Sequence, residues 1–107
     1  MNLKIVISRR AELDMTRQYR WCLETASVTV AENYLAAVDA SIRRLATIPA
    51  LGRCRRFRAS ELAGIRSKTA DRPFGVHLVF YRYDKEQLSI EREMHGARDL
   101  GRRLVEE

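Results

Sequence analysis

The hydrophobic periodicity of this chain changes once, near Pro49, and that change limits the possible folds more than any other feature. Upstream, apolar residues recur at Ala11, Met15, Tyr19, Cys22 and Ala26, and again at Ala31, Tyr34 or Leu35, Val38, Ile42 and Leu45. Stripes three and four apart describe two amphipathic helices, with no glycine or proline inside either. Ser8 is placed to cap the first helix, which ends near Thr25. Ser27 or Thr29 starts the second, and Thr29-Val30-Ala31-Glu32 has the spacing of a capping box. Pro49 and Gly52 end that helix. So short a link between two long helices predicts an antiparallel helical hairpin.

Downstream the period becomes two. Phe74 to Tyr83 is dense in aromatic and β-branched residues and opens after Pro73, where a missing N–H is tolerated. Asp84-Lys85-Glu86 makes a turn. Leu88 to His95 then returns with Leu88, Ile90, Arg92 and Met94 on one face. Leu62 to Thr69 reads as a further strand, weakened by Gly64. Ahead of the helices, Leu3, Ile5 and Ile7 alternate with Lys4, Val6 and Ser8 as a short first strand. After Gly96 breaks the last strand, Ala97 to Val105 is helical in propensity, with Leu100 and Leu104 four apart. The predicted fold is α+β: an N-terminal strand, an antiparallel helical hairpin, a three-stranded antiparallel meander completing a curved four-stranded sheet, and a short C-terminal helix.

At 107 residues the chain is expected to form a single domain, 1–107. With 46% hydrophobic and 32% charged residues it has neither disordered nor collagen-like composition. No apolar run approaches the length of a membrane span, and the N-terminus does not read as a signal peptide. Cys22 and Cys54 stand alone, and with His77 and His95 they show no metal-ligand spacing, so neither metal nor cofactor is expected. The expected setting is a reducing cytoplasm.

Charge is concentrated in the middle of the chain. Between Arg43 and Arg72 nine basic residues face only Glu61 and Asp71, a net of +7 that leaves −1 for the rest of a chain totalling +6. Seventeen of the twenty basic residues are Arg, which makes forked contacts to carboxylate or phosphate. This pattern points to a polyanionic partner, either nucleic acid or an acidic protein segment, or else to a solvated loop.

Three segments carry a likeness to a known family: Gly64-Ile65-Arg66-Ser67, Val76-His77-Leu78-Val79-Phe80-Tyr81-Arg82, and Met94-His95-Gly96-Ala97-Arg98-Asp99-Leu100. Together with Asp14-Met15, Tyr34-Leu35, Leu45-Ala46, Pro49 and Gly52-Arg53, they resemble the ParE branch of the RelE/ParE toxin superfamily over nearly the whole chain. The resemblance implies the toxin of a type II toxin–antitoxin system, acting on DNA gyrase and neutralised by a ParD-like antitoxin with an acidic or partly disordered tail, in a hetero-oligomer. RelE-like relatives instead enter the ribosome and cleave mRNA. The chain departs from the family at His77, Glu91 and Glu93, which are expected to face solvent, and at the very basic Arg55-Arg56-Phe57-Arg58.

Two site readings follow. As a gyrase-binding toxin the protein has no catalytic residue, and a surface of Arg66, Arg82, Arg92, His95, Arg98, Trp21, Arg55 and Arg58 meets its partners. As an endoribonuclease it uses Arg66 and Arg82 on the phosphate, Glu61 or His95 as proton carrier, and Tyr81 or Tyr83 to stack on a base. The residues at the C-terminus include no His or Tyr of the kind RelE-like enzymes often use, which favours the first reading. Arg92 lies on an apolar face and requires a partner, either Asp99 or an antitoxin groove. Trp21 falls off the first helical stripe; it is either a partner anchor or is covered by helix two or a sheet edge.

Overall fold

The computed structural model describes residues 2–96 and 100–106. In chain order it contains β1 (Lys4–Ile7), α1 (Arg9–Thr25), α2 (Val28–Thr47), a 3-10 turn (Pro49–Leu51), β2 (Arg53–Cys54), a second 3-10 turn (Ser60–Leu62), β3 (Arg66–Thr69), β4 (His77–Tyr83), β5 (Gln87–His95) and α3 (Leu100–Glu106). The sheet has five strands in the order β1-β5-β4-β3-β2. β1 runs parallel to β5, and the other neighbours are antiparallel. The helical hairpin and the meander are as the sequence predicts. The fifth strand is an addition, because Arg53 and Cys54 pair with Ser67 and Arg66 at the edge.

Local chemistry sets the boundaries. Ser8 Oγ accepts the Ala11 N–H at 3.0 Å and caps α1. Ser27 caps α2, accepting from Val30 N at 3.1 Å, so the capping-box spacing at Thr29 is not used. β3 begins only at Arg66, because Ser60–Leu62 coils into a 3-10 turn and Gly64 takes a positive φ of 81° that resists strand geometry. β4 begins at His77 because the chain first turns at Asp71, whose backbone carbonyl accepts from Phe74 N at 2.9 Å. Arg44 forks onto the Asp71 carboxylate at 2.7 and 3.0 Å and holds its pKa below the usual carboxylate range.

The sheet separates two cores. Ala31, Tyr34, Val38, Ile42 and Leu45 of the hairpin pack with Val79, Tyr81, Leu88 and Ile90 on one face. Leu62, Ile65, Phe80, Met94 and Leu104 form the second cluster, under α3. β5 serves both through a bulge: Tyr81 stands opposite Ile90 and Phe80 opposite Arg92, leaving Glu91 unmatched. The predicted single face of Leu88, Ile90, Arg92 and Met94 is therefore split. The first two residues face the hairpin and the last two face the other side.

Arg92 is 3% exposed. Its Nε and Nη2 donate to Asp14 Oδ2 and Oδ1 at 2.7 and 2.8 Å, a bidentate fork from β5 to α1. Asp14 also accepts the Glu93 N–H at 3.1 Å, beyond the point where β1 stops pairing with β5. The Leu104 carbonyl in α3 accepts from Arg92 at 3.4 Å and from Arg10 at 3.0 Å. The structural pairing anticipated for Arg92 is thus made with Asp14; Asp99, the partner expected from the sequence, lies outside the described residues. This enclosure removes Arg92 from the partner-binding surface.

A second buried tie secures the link between α2 and β2. The Tyr81 hydroxyl accepts the Gly52 N–H at 2.9 Å and donates to the Pro49 carbonyl at 2.6 Å. Burial pushes this phenol's pKa up. A Cβ on Gly52 would stand 2.7 Å from the Ser67 carbonyl oxygen, so this position must be glycine.

Two stability changes are expected in urea unfolding. Arg92→Ala strands the Asp14 carboxylate and costs about 3–5 kcal/mol, while combining Arg92→Met with Asp14→Asn recovers part of that loss. Tyr81→Phe leaves a buried N–H and a carbonyl unpaired and costs about 1–3 kcal/mol.

Candidate functional site

Of the four residues named for a nuclease, the fold brings together Arg82 and the backbone of Glu61. Arg82 Nη1 reaches the Glu91 carboxylate at 2.5 Å, and Nη2 donates to the Glu61 and Ala63 carbonyls at 2.7 and 3.1 Å. This guanidinium ties the bulge of β5 to the second 3-10 turn, so its donors already have protein acceptors. The Glu61 side chain is exposed and borders a cleft of about 350 Å³ shared with Glu91, Arg10 and Ile90.

Arg66 lies elsewhere. Its Nη1 donates to the Gly52 carbonyl at 2.7 Å, and its guanidinium carbon sits 5.7 Å from the centre of the Tyr83 ring. Tyr83 in turn stacks at 6.4 Å on Tyr81, whose own ring is fully buried and unavailable to a base. His95 is exposed at the far end of β5, opposite His77, and its Nδ1 is 3.1 Å from the Gly96 carbonyl. It lines a different groove from Glu61. The four residues therefore do not converge on one cavity.

A second groove lies at His95. It occupies about 460 Å³ beside α1 and is lined by Arg17, Gln18, Trp21, Met94, His95 and Arg103 together with the carboxylates of Asp14 and Glu93. Trp21 is 59% exposed, so neither helix two nor a sheet edge covers it. Its place off the apolar stripe is the sequence signal for this. Of the other residues assigned to partner binding, Arg58 is exposed, Arg55 is half-buried, and Arg98 lies outside the described residues.

Two departures from the family pattern are buried, contrary to the expectation that they face solvent. His77 is 4% and Glu93 3% exposed, with His77 Nδ1 and Glu93 Oε1 at ion-pair distance, 3.1 Å. Both lie on the hairpin side of the sheet: His77 by the regular alternation of β4 with Val79 and Tyr81, and Glu93, opposite Val79, because the bulge shifts the alternation of β5. The Tyr34 ring packs edge-on against His77, and burial followed by the Glu93 charge pushes its phenol far above the ordinary range. Glu91, the third, is half-buried and paired with Arg82. Among the described residues, no three His, Cys, Asp or Glu side chains form a potential metal-ligand set. No described helix is long and apolar enough to cross a membrane.

Comparison with known proteins agrees with this architecture. No curated protein matches the chain. Among solved structures, a chain of the chromosomal ParDE toxin–antitoxin system from P. aeruginosa superposes with a TM-score of 0.72 at 16% identity, covering 89% of this chain and 97% of that one. A chain of the RelBE2 toxin–antitoxin complex from Mycobacterium tuberculosis gives 0.59 at 21% identity, covering 89% and 99%. Both likenesses show the shared fold. Residues 5–100 match the family described as the ParE toxin of the type II toxin–antitoxin system parDE. The chain belongs to the ParE family of type II toxin–antitoxin toxins.

Proposed function

We propose that this toxin acts in the cytoplasm by docking on DNA gyrase and stalling it with cleaved DNA, and that a ParD-like antitoxin neutralises it by direct binding. The family match over residues 5–100 carries this reading. The geometry supports a binder over an enzyme, since Arg82 is already engaged by Glu91 and two carbonyls while His95 and Glu61 line different grooves. No residue of the toxin need perform chemistry. The chemistry is gyrase's own, arrested partway.

The groove beside α1 suits the antitoxin. Trp21 offers a large apolar anchor, and Arg17, His95 and Arg103 supply donors around it for an acidic segment that folds on docking, the groove's own carboxylates, Asp14 and Glu93, being turned to Arg92 and His77. The excess charge of the 43–72 stretch would speed capture of such a segment.

Three outcomes are expected. In a plasmid supercoiling gel with purified gyrase and ATP, the toxin yields linear or relaxed DNA, and adding antitoxin restores supercoiling. Unchanged supercoiling by a toxin that still halts growth would redirect the search to ribosome-dependent mRNA cleavage, for which Arg66→Ala should then abolish nearly all activity. Trp21→Ala should weaken the antitoxin complex by about 30-fold or more in calorimetry. The association rate with antitoxin should fall steeply as salt is added.

A further inference from the structure

We infer that the sheet edge bearing Arg53 and Arg55, with Lys68 at its border, binds the phosphodiester backbone of single-stranded nucleic acid. The register places the two arginines on one face; Lys68, opposite Val79, belongs to the other face and reaches the same groove at its rim, its Nζ donating to Thr69 Oγ1 at 3.4 Å. Arg53 stands opposite Ser67, and Ser67 opposite Phe80, so all three lie on the face turned away from the helical hairpin. Arg55, two residues on, falls on the same face. Its Nη1 donates to Ser67 Oγ at 3.0 Å, and its guanidinium carbon lies 5.3 and 5.8 Å from the ring centres of Phe57 and Phe80. Together with Lys68 and Thr69 these residues border a groove of about 490 Å³, whose apolar lining is Leu51, Leu78 and Leu100.

Among the described residues, three cations line the groove and no carboxylate does. Among the described residues none of the three is in an ion pair, and Asp71, the acid nearest in effect to Lys68, is held by Arg44. Arg55 is half-buried between two rings, and both burial and the neighbouring Arg53 lower its pKa. Like charges on neighbouring positions of one sheet face repel, and an anion between them reverses the sign of that interaction.

The donor set selects among anions. Two planar forks, an ammonium and two hydroxyls, Ser67 and Thr69, match a tetrahedral group with several acceptor oxygens. A single carboxylate would be saturated by Arg55 alone. The shape selects the strand number: the site is concave and of small-ligand size (about 300–1,000 Å³). Reading a duplex requires a helix or ribbon projecting into its groove. The leucines give a base or sugar an apolar surface, and exposed Arg56 and Arg58 extend the positive strip along the chain. Sequence-independent binding of this kind needs only the backbone charge and stacking.

The test is fluorescence anisotropy of short labelled DNA and RNA oligonucleotides of one sequence, titrated with the full chain. Saturable binding in roughly the micromolar range is expected. Arg53→Gln and Arg55→Gln should each weaken it about tenfold and reduce the slope of log K against log salt by about 0.7. Arg43→Gln, at an exposed position paired with Asp39, should change neither. The DNA and RNA arms identify which source of the phosphodiester is held. A thermal melt checks that Arg55→Gln remains folded, and exposed Arg53 provides an independent variant. The inference is overturned by absence of saturable binding, by equal losses with Arg43→Gln, or by polyglutamate binding as tightly as the oligonucleotide. It does not rest on gyrase: a toxin that poisons gyrase yet ignores oligonucleotides overturns this site alone.

Discussion

The fork between Asp14 and Arg92 is the contact on which the rest of the arrangement depends. β5 is the strand with the most to join: it pairs with β1 on one side for four residues and with β4 on the other for most of its length. Where β1 ends, the strand's free edge would present bare amides. Asp14 fills that gap by accepting the Glu93 N–H while gripping Arg92, and Arg92 carries the connection on to the Leu104 carbonyl. Two helices on opposite sides of the sheet are thereby referenced to one guanidinium. A charge taken out of water in this way has little latitude, because moving either partner exposes the other to an apolar interior. The fork therefore fixes geometry more than it adds stability.

Much of this was legible in the residue order, and the failures share a cause. Helical stripes and the Ser8 cap are local features, so α1 and α2 appear where the spacing puts them. The turn at Asp84 and the return strand are local as well. The register of β5 is not: the bulge at Glu91 is one extra residue with no composition of its own, yet it reverses the alternation beyond it. The errors about β5 follow from it, both the solvent-facing expectation for Glu93 and the single face of Leu88 to Met94, whereas His77 is buried by the regular alternation of β4. The pairing of Arg92 with Asp14 spans 78 positions, and no local pattern announces it. Arg53 and Cys54 were missed as a strand because two residues carry no period.

The candidate surfaces divide along the same lines. Arginines that look alike in the sequence do different work. Arg44, Arg82 and Arg92 are structural ties to Asp71, Glu91 and Asp14. Among the described residues Arg53 and Arg55 have no such acid, and their charge is directed outward or into a groove. Charge counting marks a stretch of chain, but only the pairing separates the residues that hold the fold together from those without an acidic partner among the described residues.

The parallel pairing of β1 with β5 has a consequence in time. Lys4 is aligned with Gln87, so the strand made first finds its neighbour only after more than eighty further residues exist. Contacts of such sequence separation carry a large loop-closure cost and form slowly. The helical hairpin and the β3–β4–β5 meander are far more local and can assemble earlier. During synthesis the nascent toxin thus passes through a stage with helices in place and the sheet unfinished. The Asp14–Arg92 fork and the groove beside Trp21 both require β5. A partially made chain lacks both, and this topology delays them until the residues of β5 have emerged.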